Sequence, residues 1–378
     1  MPLFIGSAAL GVETAAWYHD SLTLQQTADK AVYSAAIEKR AGSTAQVILS
    51  SATKAATQNG FVPGTIIVND PPTSGAYVGV SNTIQVTMST HVNRYFSAVF
   101  DTSEVVANAK AVAIIQTASS SCLLALNTSA SGAIQVSGGA SLSLSGCTVM
   151  SDSTASNSVN VQNSAKLSAD CIITVGDVSL PSGSTTTLCP NIVTNAPPVA
   201  DPFVNLAVPT SATNWSNSNG AVLQPGNYTN GMDLHGATTL APGVYIVSGT
   251  FRINAQANIL GAGVTIYLSK GTSLSINGTA TLNLSAPTSG PYSGVLFFGD
   301  RASTGSVTFN GTAASKLTGA LYFANQNVSY LGNYSGNGGC TRVIANTISW
   351  SGSTSINQNC SAYGMSSIGA TVLIKLVE

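Results

Sequence analysis

Apolar positions along the chain follow two different periods. From Leu22 to Thr57 there is no Pro and one Gly, and Leu24, Ala28, Ala31 and Ala35 recur at steps of three and four, the spacing of one helical face. The triplet "QNG" at 58–60 supplies a C-terminal stop. Extended back to Ser7, this pattern predicts a helix about 75 Å long at about 1.5 Å per residue, with Gly42 and Ser43 as the place for a bend. From Ser119 the period shortens to two. "IQVSGG" at 134, "LSLSGC" at 142, "LSINGT" at 274, "VTFNGT" at 307, "VSYLGN" at 328 and "ISWSGS" at 348 each alternate apolar with small polar residues and then turn at Gly or another small polar residue. These are short strands with one buried face. "PGVYIV" at 242, "GVTIYL" at 263, "GVLFFG" at 294 and "GALYFA" at 319 are more continuously apolar and predict strands buried on both sides.

Phe309, Tyr330 and Trp350 are spaced by 21 and 20 residues, close to one coil of a parallel β-solenoid. Residues 119–366 are therefore expected to form a β-helix or related β-solenoid, with the Pro-rich segment 194–220 as a long loop between two stacks. The last residues, "GATVLIKLVE" at 369–378, predict a strand that pairs antiparallel with "AKAVAIIQ" at 109–116. On this reading the solenoid is an insertion, and the whole is a lollipop: mainly β, with a long N-terminal α-helix, a small α+β neck and a parallel β-helix head. The expected boundaries are 1–60 for leader and helix, 61–118 for the neck, 119–366 for the head and 367–378 for the returning strand.

The six cysteines fit a solenoid. Cys122 to Cys147, Cys171 to Cys189 and Cys340 to Cys360 are separated by 25, 18 and 20 residues. Residues one coil apart lie about 4.8 Å from each other, within the Cα range of a disulfide. Six cysteines allow 15 pairings, and Cys147 to Cys171 satisfies the same geometry. Disulfides in turn imply an oxidising compartment.

Composition narrows the partners. Charged residues make up 7% of the chain, 13 basic against 14 acidic, so no basic field exists to attract nucleic acid. Between Ser121 and Ala370 there are six Asp and no Glu, scattered singly. Asp233 and His235 in "MDLHG", and Asp300 and Arg301 in "GDR", are better read as turn caps or local ion pairs than as a catalytic pair. No spacing of Cys or His suits a metal, and no Gly-rich phosphate cradle precedes a helix. The expectation is a non-enzyme without a cofactor.

The leader "MPLFIGSAALGVETAAWY" places Glu13 after twelve uncharged residues. That is short of the roughly 20 apolar residues needed to span a bilayer. Two readings stay open: half of a membrane helix that continues upstream, or an apolar tail that packs against copies of itself. Trp17 and Tyr18 mark where such a segment meets water. Glu13 then either reaches the lipid headgroups or pairs with the N-terminal amine or Lys30 of a neighbouring subunit.

The run "GVETAAWYHDSLTLQQTADKAVYSAA" (11–36) resembles the N-terminal signature of TadE/TadG-like proteins of Flp (tight adherence) pilus assembly. Gly11, Val12, Glu13, Trp17, Tyr18, Gln25, Ala28, Asp29 and Ala31 carry the similarity, which continues through "TIQVTMSTHVNRYFSAVF" (83–100) and "VVANAKAVAII" (105–115). It covers roughly the first 120 residues and lacks the family's basic flank and the first half of its membrane segment. The resemblance implies a pilin-like neck and a cell-envelope or surface protein of a bacterium, anchored or assembled by its N-terminal helix. The partners it implies are this chain itself or other pilin-like subunits, and the inner membrane if the leader is longer. A polymerising subunit of an extracellular filament is the alternative. A surface-tethered β-helix that binds or acts on carbohydrate, with surface glycans as partner, is a third.

Overall fold

The computed structural model describes residues 2–61, 64–116, 121–187, 192–216, 220–311, 314–332, 339–352, 355–359 and 373–378. The chain divides into two compact units, Met1–Thr117 with Val372–Glu378, and Ala118–Thr371.

In the first unit, helix α1 spans Pro2–Arg40 and helix α2 spans Ala45–Gln58. The expected single 75 Å helix is thus two helices. Gly42 takes a left-handed φ of 76°, a conformation Gly adopts without a steric penalty, and Ser43 donates to the Glu38 carboxylate at 2.6 Å. The chain does more than bend there. Ser34 Oγ lies 2.8 Å from Ser51 Oγ, and Lys30 Nζ donates to Asn59 Oδ1 at 2.7 Å, so α2 returns antiparallel along α1. The driving force is burial of the alanine face. Leu24, Ala28, Ala31, Val32 and Ala35 of α1 form one core with Ile48, Ala52 and Ala56 of α2.

That core closes on a sheet. Strands β1 (Gly64–Asn69), β2 (Thr83–Val92) and β3 (Val105–Gln116) are antiparallel neighbours. The C-terminal strand Leu373–Leu376 pairs antiparallel with the end of β3, Ile374 opposite Ile115. Ile84, Val86 and Met88 of β2 and Ala107, Ala109, Ala111 and Ala113 of β3 face the helices. Their period of two is the strand alternation that turns one face inward.

The second unit is a parallel β-solenoid of about nine turns. Its aromatic ladder follows the sequence spacing: Phe309 is opposite Tyr330 and Tyr330 opposite Trp350, with ring centroids 5.5 and 5.2 Å apart. All three are buried.

Coil order does not follow chain order. The strand Thr341–Trp350 pairs on its other side with Ser121–Ala125 and Ile134–Val136, so that Val343 faces Leu123 and Trp350 faces Val136. Ser355–Asn359 likewise pairs with the start of Ser141–Ser151. The chain joins the solenoid at an internal seam and coils outward past Lys166–Thr174. It then returns to the far end, where Asn214–Trp215 pairs with Gly226–Tyr228, and coils back to the seam. The segment expected as a loop between two stacks therefore joins the two ends of one continuous stack.

This return segment runs lengthwise along one flank. Ala196 N donates to Thr174 O, Val199 N to Asp152 Oδ1 at 2.9 Å, and Tyr322 Oη to Asp201 Oδ2 at 2.7 Å. Further along, Arg301 Nη2 donates to the Leu206 carbonyl at 2.7 Å and Tyr292 Oη to that of Ala207 at 3.0 Å. The flank beneath is apolar. Ile246, Tyr267, Phe298, Tyr322, Ile344, Leu124, Met150 and Ile173 stand in register on successive coils, and all are buried. Ile246, Tyr267, Phe298 and Tyr322 belong to the four continuously apolar runs at 242, 263, 294 and 319; Ile344, Leu124, Met150 and Ile173 extend the same row on strands not singled out by that pattern.

Cys122 and Cys147 form a disulfide with Cα atoms 5.5 Å apart. The competing link from Cys147 to Cys171 is excluded, because the Cys147 sulfur is already bonded to Cys122. Cys171 and Cys340 are also disulfide-bonded. Their expected partners, Cys189 and Cys360, lie outside the described residues.

Candidate anchoring surface

Glu13 sits inside the first unit, 1% exposed. Its charge is met within the chain, by the turn between β2 and β3. Oε1 accepts from Tyr95 N and Ser97 Oγ, and Oε2 from Ser97 N, each at 2.8 Å. Burial opposes ionisation, but these bonds, helped by the nearby Arg94, outweigh it and hold the carboxyl below its ordinary value. The physical reason for the correction is local. The turn between β2 and β3 presents backbone N–H groups that need an acceptor, and the side chain leaving the first part of α1 at position 13 supplies it. Lys30, the other expected partner, is engaged with Asn59.

Trp17, one turn further along α1, donates its indole N–H to Asn93 O at 2.9 Å. The Arg94 guanidinium lies 5.8 Å from its ring centroid and donates to Asp101 Oδ2 at 2.9 Å, Ser103 O at 2.7 Å and Ser97 Oγ at 3.1 Å. Trp17 is thus a strut for the turn, whereas Tyr18 points outward and is exposed.

Beside the exposed polar residues Asp101–Glu104, the first part of the turn displays the opposite chemistry. Val99 is 83% and Phe100 88% exposed, and Tyr95 and Phe96 are exposed as well. A short 3-10 turn, Ser97–Val99, fixes their spacing. Leu10 and Val12 on α1 are also exposed. Arg94, Val99 and Phe100 were not legible as site residues. The signal was present in "RYFSAVF" (94–100), where four large apolar residues crowd a segment too short to bury them.

The other candidates belong to the second unit. Asp233 accepts from Asn254 and lies 3.8 Å from His235 Nδ1 and 3.7 Å from Arg252 Nη1, a local polar cluster on exposed side chains. Asp300 caps its own turn, accepting from Ala302 N at 2.7 Å, and accepts from Tyr267 Oη. Arg301 does not pair with it; it stacks near Phe298 and Tyr322 and donates to the return segment. Among the described residues no group of three or more His, Cys, Asp or Glu is placed to hold a metal. No helix among them is long and apolar enough to cross a membrane. Comparison with known protein families, characterised proteins and solved structures finds no match to the chain.

Proposed function

We propose that the protein is a pilin-like, non-enzymatic component of a bacterial cell-envelope assembly of the TadG-like type, held by the N-terminal part of α1 and carrying a β-solenoid for display. The observation that carries this reading is the Glu13 clamp. It fixes an exposed apolar turn beside α1 at the residue where the uncharged sequence of the helix ends. Contiguous exposed apolar side chains mark a surface made for a membrane or another protein. The similarity of residues 11–36 and 83–115 to TadE/TadG-like proteins supports the assignment, and the Cys122–Cys147 disulfide is in keeping with an oxidising compartment.

The test is fractionation of bacteria expressing the full chain, followed by protease treatment of intact cells. The expected result is recovery in the membrane or sheared-surface fraction, with Cys122 and Cys147 oxidised and the solenoid accessible from outside. A reduced protein in the cytosolic fraction would overturn the proposal.

A further inference from the structure

We infer that the turn at 95–100 is itself a lipid-contacting element, seating Tyr95, Phe96, Val99 and Phe100 in the headgroup layer of a bilayer next to α1. This rests on the anchoring role proposed above and adds the partner and the residues.

A surface turn ordinarily points its polar groups at water. Here Glu13 takes the N–H groups of Tyr95 and Ser97, and the Arg94 guanidinium is spent on Ser97, Asp101 and Ser103. What remains outward is two Phe, a Tyr and a Val, without a charged group among them. The clamp also makes this display rigid, so little conformational freedom is lost when the side chains are buried.

The location selects lipid as the occupant. Residues Pro2–Val12 of α1 carry no charged side chain, so hydrocarbon can take the helix as deep as Glu13 without burying an ionised side chain. Glu13 is the atom-level link between the helix and the turn. A helix inserted to that depth therefore brings the turn to the interface, where amphipathic rings such as Tyr95 are favoured. Attraction is apolar, so neutral lipid suffices and salt has little effect.

The experiment uses the full-length protein and phosphatidylcholine vesicles. Val99→Cys, labelled with an environment-sensitive fluorophore, is expected to shift to the blue on vesicle addition and to be quenched by bilayer-embedded quenchers. The double substitution Val99→Asp with Phe100→Asp should lower vesicle partitioning roughly tenfold or more. Val78→Asp, at an exposed site elsewhere in the same unit, should leave it unchanged. Both aspartates replace exposed side chains, and an intact Cys122–Cys147 bond with unchanged circular dichroism verifies folding. Wild-type binding with a label still in water, and equal partitioning of the double variant, would overturn the inference while leaving anchoring intact. A label buried without lipid in a concentration-dependent way would assign the turn to a second copy of the chain and also overturn it. Wild-type protein that ignores vesicles altogether defeats both this inference and the anchoring role.

Discussion

Asp152 and Glu13 are both buried carboxyls, and their surroundings push them in opposite directions. Burial raises Asp152 to about 6 from 3.8, and the single backbone N–H of Val199 offsets only part of this. Between those values the folded protein holds a proton that the unfolded chain has released, so this group makes stability fall as pH rises from about 4 to about 6 and contributes a constant cost above. Asp152→Asn should remove that slope. Denaturant titrations of both proteins across the window check it, and parallel pH profiles would refute the assignment. Glu13, held below its ordinary value by several donors, stabilises the fold at neutral pH, and its contribution disappears as the pH drops through its lowered value. Neither environment was legible in the sequence. The partners of Asp152 and, in the main, of Glu13 are backbone N–H groups, which every residue but Pro carries, so no residue type announces them.

At the scale of elements, the aromatic ladder was readable because a coil has a nearly fixed length: Phe309, Tyr330 and Trp350 repeat and stack at that interval. Periodicity ends at the seam. Trp350 rests on Tyr330 on one side and faces Val136 on the other, residues far apart in sequence that no local pattern connects. Trp350 is fully buried, and Trp350→Ala should destabilise the solenoid by about 3–5 kcal/mol, the range for deleting a large core aromatic. Equilibrium unfolding monitored by β-sheet circular dichroism measures it, and a loss under about 1 kcal/mol would mean that the seam is not packed as described. The helical hairpin shows the same boundary between local and non-local information. Gly42 announces an interruption, but the full reversal depends on alanines of α1 and α2 finding one another and the sheet.

For the whole molecule, the decisive feature is that the solenoid's two chain connections belong to successive coils. The path leaves Ser355–Asn359 and, one coil step on, would continue into Ser121–Ala125. A permuted second unit, with its old ends joined by a short linker and new ends opened between Thr210 and Ser211 in the return segment, should therefore keep its β-sheet spectrum and remain monomeric. Aggregation of this permutant, with the aromatic ladder intact in the parent, would contradict the coil order. The order also explains how so long an insertion fits between β3 and the C-terminal strand, which pair with each other: its ends need not be brought together from opposite tips of a rod.

The Cys122–Cys147 cross-link lies at this seam and has a mechanical meaning. A pull on the incoming strand reaches the cross-link one residue after Ser121, and the bond ties that strand to the next coil before a second residue can peel away. The load then passes through the bond to Cys147, so residues 123–146 drop out of the length that a pull entering from β3 can extend.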